Sequence, residues 1–186
     1  MPNGESAVIN VGLLGLGVVG TGVAAKLIGD STSVSDVTGR KVNLKSVLVR
    51  DLSRARGIEL PAGVLTTDAG EILADPEIDV LVEVMGGTDP AENYLREALS
   101  AGKHVVTANK EVMAKSGPEL ITLARDNGAN LLFEASVGGG IPIVGCMMKE
   151  LAANEIRSIR SIINGTTNYV LTRMAHERTS FQQALG

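Results

Sequence analysis

The chain has 186 residues, enough for one sizeable core and the start of a second domain. Hydrophobic residues make up 44% and aromatic ones 2%, with a net charge of −4, so Val, Leu, Ile, Ala and Met must fill the core, and neither base stacking nor a phosphate-neutralising surface is expected. The lone cysteine, Cys146, excludes an intrachain disulfide, no apolar run is long enough for a membrane span, and residues 1–6 lack a signal-peptide pattern, so the expectation is a cytoplasmic protein with a flexible tail at 1–6 and neither nucleic acid nor membrane as partner.

The mostly apolar run 7–14 ends at glycines and predicts a strand buried on both faces, followed by a helix over 18–28. Residues 29–41 are polar and read as a loop or insertion before a second strand at 42–49. A short helix at 69–74, a turn at Pro76 and a strand at 79–84 come next, then a helix at 90–101, a strand at 104–108, a helix at 111–127 and a strand at 130–134, with Gly102 and Gly128 as helix stops. Strands alternating with helices predict an α/β fold, a Rossmann-type doubly wound parallel sheet over 7–135. After Ser136 the rhythm changes. Gly138-Gly139-Gly140 leads through Pro142 into a helix ending near Ala153, a strand at 156–163 and a further helix, which reads as the truncated start of an α+β substrate domain over 136–186. Cys146, in an apolar stretch, reads as a small core residue, and His104 and His176 are assigned no chemistry.

Gly15-Leu16-Gly17-Val18-Val19-Gly20 follows a predicted strand and opens a predicted helix. In such a motif the first glycine permits a tight turn, the second lets backbone approach a pyrophosphate, and the third allows close helix–strand packing, with helix N–H groups facing the phosphates. A glycine turn that binds nothing is the alternative. The second strand runs into Arg50 and Asp51. A guanidinium there suits a 2′-phosphate, favouring NADP(H) over NAD(H), while Asp51 leaves dual use open and a solvated charge pair is the plainer reading. Glu83-Val84-Met85-Gly86-Gly87-Thr88 closes the third strand, and its glycines would let a nicotinamide ribose come close. Glu83, an acid in an apolar strand, reads equally as a residue that bonds local backbone N–H groups. Lys110, in Thr107-Ala108-Asn109-Lys110-Glu111, stands at the carboxyl edge where it can bond cofactor or substrate or exchange a proton, or simply be solvated. Glu134 beside the glycine turn 138–140 suits a hard cation, and a hinge between domains is the other reading.

Taken together, residues 15–20, 83–87, 107–111, 133–142 and Asn164-Gly165-Thr166-Thr167-Asn168-Tyr169 resemble the homoserine dehydrogenase family. The resemblance implies reversible hydride transfer between NAD(P)H and L-aspartate 4-semialdehyde, giving L-homoserine on the route to threonine and methionine. The residues read above as meeting the cofactor are Gly15, Leu16, Gly17, Val18, Val19, Gly20, Arg50, Met85, Gly86, Gly87, Thr88 and Lys110, and the resemblance implies that Lys110 contacts the reacting end. It places Gly165 and Thr166 near the nicotinamide or substrate, and Glu134 with the carbonyls of Val137, Gly139 and Ile141 around a monovalent cation such as Na+. Family members continue past the Asn-Gly-Thr-Thr segment into an acidic stretch, a second lysine and a sheet that commonly forms a homodimer. The chain by itself is therefore expected to be an incomplete, cofactor-binding fragment without activity of its own. A stand-alone NAD(P)H-sensing module is the alternative.

Overall fold

In the computed structural model, which describes residues 8–29, 31–162 and 164–185, six strands form one parallel sheet: β1 (Ile9–Leu14), β2 (Val42–Leu48), β3 (Leu65–Thr66), β4 (Val80–Glu83), β5 (His104–Thr107) and β6 (Leu131–Leu132). Their order across the sheet is β3-β2-β1-β4-β5-β6. This is the dinucleotide-binding arrangement, in which the chain reverses its direction of travel at β1. The connections are α1 (Val18–Gly29), α2 (Ser31–Thr38), α3 (Ala69–Leu73), α4 (Ala91–Ser100) and α5 (Lys110–Asp126).

Successive residues of a strand face opposite sides of a sheet, so a sheet covered on both faces needs apolar residues at neighbouring positions. Leu13 and Leu14 are both fully buried and belong to different cores. Leu14, with Leu81 and Val105, packs with Ile72, Leu95, Leu99, Val112 and Leu120 from α3, α4 and α5. Leu13, with Val11 and Val47, packs with Ala24 of α1. At Gly12 a Cβ would stand 2.6 Å from the Ile72 methyl, so α3 rests on bare strand backbone there.

Several expectations change. Part of the polar stretch 29–41 is the helix α2 rather than a loop; Val34 packs on the second core and Gly39, at φ 66, donates its N–H to the Ser35 carbonyl at 2.7 Å to end the helix. Its residues are weak helix formers, so packing decides. Strand β3 escaped notice because two residues carry no periodicity; they gain strand geometry by pairing with Val47 and Leu48. Strand β6 is shorter than 130–134, and Glu134 opens a 3₁₀ turn (Glu134–Ser136) instead of ending the strand. The tail at 1–6 and the expected strand residue Ala7 lie outside the described residues.

Contacts divide the chain into two compact units after Gly139. In the second, helix spans only residues 144–150, with Cys146–Glu150 in wide π turns, rather than continuing from Pro142 to Ala153. Cys146 is exposed, contrary to its reading as a core residue. Residues 156–162 form no strand, and residue 163 lies outside the described residues. The reason is physical: a strand needs an edge to pair with, and among the described residues this unit contains no other strand. Helices α6 (Gly165–Glu177) and α7 (Phe181–Leu185) complete it, with Arg173 paired to Glu177 at 3.0 Å and lying 5.9 Å from the Tyr169 ring centre.

Candidate functional site

The carboxyl ends of β1 and β4 lie side by side where the strand order reverses, which is where open α/β sheets bind ligands. Gly15, Leu16, Gly17, Val18, Val19 and Gly20 make the turn from β1 into α1, and the three glycines have three different surroundings. Gly15 sits at φ 101 with Met85 and the Val84 carbonyl 3.1 Å from where a Cβ would stand. At Gly20 a Cβ would stand 2.1 Å from the Gly15 carbonyl oxygen, so the helix packs directly on the turn. Gly17 has nothing within 4 Å. Val18 is 95% exposed, and no acidic residue occupies the first turn of α1. A helix start with free N–H groups, open backbone and no carboxylate is a ready anion site.

Facing it, Met85 is partly buried against the core, while Gly86 and Gly87, at φ 77 and 74, are exposed with nothing within 4 Å of a would-be Cβ. Thr88 accepts the Glu92 N–H at 2.8 Å, leading the turn into α4. The glycines that the motif needs for packing are therefore packed, and those placed to admit a ligand stand open. This fits a dinucleotide lying across the crevice.

Arg50 is exposed just beyond β2. The carboxylate of Asp51 is turned inward on its own loop, accepting the Ser53 hydroxyl at 2.6 Å and the Ser53 N–H at 2.8 Å, and these bonds hold it below the ordinary carboxylate range. Arg56 donates to the carbonyls of Asp51 and, at 2.9 Å, Arg54. Arg54 and Arg56 line a shallow cavity of about 350 Å³ with Leu52, Ile58 and Leu60. Sequence reasoning stopped at Arg50 and passed over these two arginines, although their spacing in the same loop was legible.

Lys110 is exposed and is the first residue of α5, at the carboxyl edge of β5. Asn109, its N-cap, accepts the Val112 N–H at 3.2 Å. Glu83 is fully buried and takes hydrogen bonds from the Met85 N–H at 2.8 Å and the Thr107 hydroxyl at 2.6 Å. Of the two readings open for Glu83 in the sequence, local backbone bonding is what is seen. His104 uses Nδ1 to accept the Asn130 N–H at 3.0 Å, a structural bond.

Glu134 is half-buried in its 3₁₀ turn, Val137 and Gly139 follow it within the first unit, and Gly138 and Gly139 have φ 75 and 63. Ile141, Gly165 and Thr166 belong to the second unit. Gly165 and Thr166 start α6, capped by Asn164, whose side-chain oxygen accepts the Thr167 N–H at 2.8 Å. Among the described residues no three His, Cys, Asp or Glu side chains cluster to hold a metal, and no helix is long and apolar enough to cross a membrane.

The family model described as homoserine dehydrogenase, NAD binding domain, matches residues 15–134, and the homoserine dehydrogenase model matches 142–186. Homoserine dehydrogenase of Bacillus subtilis is 44% identical over 177 residues, covering 95% of this chain and 41% of the relative. That of Synechocystis is also 44% identical, over 95% of this chain and 40% of its own length. The crystal structure of a Thiobacillus denitrificans homoserine dehydrogenase superposes with a TM-score of 0.88 at 40% identity, covering 96% of this chain and 41% of that one. A hyperthermophilic archaeal homoserine dehydrogenase, described as in complex with NADPH, superposes at 0.79 with 26% identity, covering 96% of this chain and 60% of that one. The chain thus spans about 40% of the length of the curated relatives it matches. A parallel sheet of this order, a glycine turn open where a dinucleotide must approach, and family matches along nearly its whole length place this chain in the homoserine dehydrogenase family.

Proposed function

We propose that residues 7–135 bind NADP(H) across the crevice between β1 and β4, and that the enzyme built on this sequence interconverts L-homoserine and L-aspartate 4-semialdehyde in the cytoplasm, on the route to threonine and methionine. The observation that carries this reading is the contrast among the glycines: Gly15 and Gly20 are packed, whereas Gly17, Gly86 and Gly87 are open beside the start of α1. Gly15 to Gly20 hold the pyrophosphate through backbone N–H groups, and Met85, Gly86, Gly87 and Thr88 lie along the nicotinamide half. Arg50 pairs with the 2′-phosphate, supported by the neighbouring Arg54. Asp51, already engaged by Ser53, does not compete for ribose hydroxyls. When bound, the nicotinamide ring gives or takes the hydride. Lys110, exposed at the same edge, donates a hydrogen bond to the substrate oxygen and steadies the charge that develops there.

Residues 136–186 begin the substrate domain in this reading, with Gly165 and Thr166 near the nicotinamide or substrate and a homodimer as the working assembly. Glu134 and the carbonyls of Val137, Gly139 and Ile141 take a monovalent cation, Na+ first, because a carboxylate next to a glycine turn can offer several hard oxygens at once. Equal rates of homoserine oxidation in Na+, K+ and a bulky organic cation, measured on a protein of the relatives' full length carrying this sequence, would remove the ion from the account.

The cofactor reading is tested by Arg50→Ala. A charge-assisted, bidentate contact contributes about 1.5–3 kcal/mol, so NADPH affinity should fall roughly tenfold or more while NADH affinity stays nearly constant. An unchanged NADPH-to-NADH ratio would take the 2′-phosphate away from Arg50.

A further inference from the structure

Behind the open crevice lies a buried polar cluster that the hydride chemistry does not itself use. Glu83 is fully buried, Thr107 is 1% exposed and Asn109 is 4% exposed. A carboxylate withdrawn from water this completely must be surrounded by donors. They come from three places: the Met85 N–H at 2.8 Å, the Thr107 hydroxyl at 2.6 Å and the Asn109 amide at 3.4 Å. Thr107 in turn accepts the Asn109 N–H at 3.0 Å. The Asn109 amide can face only one way. Its oxygen accepts the Val112 N–H and caps α5, so its nitrogen must point at Glu83 and at the Gly87 carbonyl, which it reaches at 2.6 Å.

We propose that Glu83, Thr107 and Asn109 act as a brace that positions the Gly86–Gly87 turn and Lys110 against the nicotinamide half of the cofactor. The proposal rests on the cofactor reading above. Two glycines in succession at φ 77 and 74, with nothing within 4 Å of a would-be Cβ at either, are poorly held by packing, and the Asn109 bond to the Gly87 carbonyl supplies a hold. The same side chain fixes the start of α5, whose first residue is Lys110. One amide thus sets both the turn and the lysine, and Glu83 sets the amide. The brace's bonds run to Met85, Gly87 and Val112 and not to Arg50, where the 2′-phosphate of the adenosine half is placed. Asn109 and Glu83 are positioning residues in this scheme.

The test compares affinity for NADPH with affinity for 2′,5′-ADP, its adenosine half, by titration calorimetry on the purified chain. Asn109→Ser keeps a residue that caps a helix well but cannot reach Gly87 or Glu83. It should weaken NADPH binding about tenfold, the equivalent of one lost hydrogen bond to a well-placed group, and leave 2′,5′-ADP within about twofold. Retained 2′,5′-ADP binding also shows that the variant folds. Should the serine variant not fold, Asn109→Thr, which also caps and fills more of the vacated space, carries the same expectation. Glu83→Gln keeps an oxygen for Met85 and Asn109 and turns its NH2 to the Thr107 hydroxyl oxygen, which then accepts instead of donating, and should preserve the wild-type ratio of affinities. Equal losses for both ligands, no loss for either in the Asn109 variants, or a loss in Glu83→Gln as large as theirs would overturn the brace. A wild-type chain that binds neither ligand would overturn the cofactor reading itself, and the brace with it.

Discussion

Three glycines of one motif differ in what a single methyl group would do to them. At Gly20 the added carbon would stand 2.1 Å from the Gly15 carbonyl oxygen, and backbone cannot swing aside as a side chain can. Gly20→Ala should therefore force α1 off its turn and cost about 1–3 kcal/mol, seen as a lower denaturant midpoint. At Gly17 the same carbon meets nothing within 4 Å and the backbone is not left-handed, so Gly17→Ala should leave the unfolding curve unchanged within about 0.5 kcal/mol. It should nevertheless reduce NADPH affinity by about tenfold or more, because the methyl occupies space the pyrophosphate needs. If Gly17→Ala bound NADPH as the wild type does, the turn would not be the phosphate cradle.

At the scale of elements, the strands that face two cores were legible because their apolar residues are contiguous: Leu13 and Leu14, Val47 and Leu48. The motif glycines were equally visible, whereas the cap at Asn109 emerges only in the structure. Elements that depend on distant partners were not. Helix α2, built of Ser, Thr and Val with one Asp, is made by packing Val34 on the sheet, and β3 exists only as a partner of β2. Residues 156–162 have the composition of a strand but no edge to join among the described residues. The site was partly legible for the same reason: Arg50 and Lys110 announce themselves at strand and helix ends, whereas the connection from Glu83 through Asn109 to Gly87 links residues more than twenty positions apart.

One ion-pair group joins elements on the side away from the crevice. Lys45 of β2 lies 2.6 Å from both Asp75 and Glu77, in the turn that precedes β4. Asp75 is held below its ordinary value of 3.8 by the hydrogen bond from Lys45 and by the Glu77 N–H, and Lys45 is held above 10.5 by Asp75 and then Glu77. The depressed carboxyl contributes fully above 3.8 and its contribution is lost as pH falls through the lowered value; the raised amine contributes fully below 10.5 and is lost as pH rises through its own. Asp75→Asn should lower Tm by a constant amount across neutral pH, and that gap should narrow as acid protonates the wild-type carboxyl. A gap that persists unchanged to about pH 2 would mean that the ionised pair does not link β2 to this turn.

The whole first unit is a sheet closed on both faces by helices, which leaves its carboxyl edge as the place where backbone and charged side chains meet solvent together. The Gly15–Gly20 turn, Arg50, the Gly86–Gly87 turn and Lys110 all stand along that edge, contributed by β1, β2, β4 and α5. A dinucleotide is the ligand class whose length and charge match such a line of sites, with a phosphate at the centre and a nucleoside on each side. Calorimetric titration of the purified chain with NADPH and, separately, NADH tests this most directly. Saturable binding of one NADPH per chain is expected, with NADH bound more weakly by roughly tenfold or more. No saturable heat with either nucleotide would contradict it.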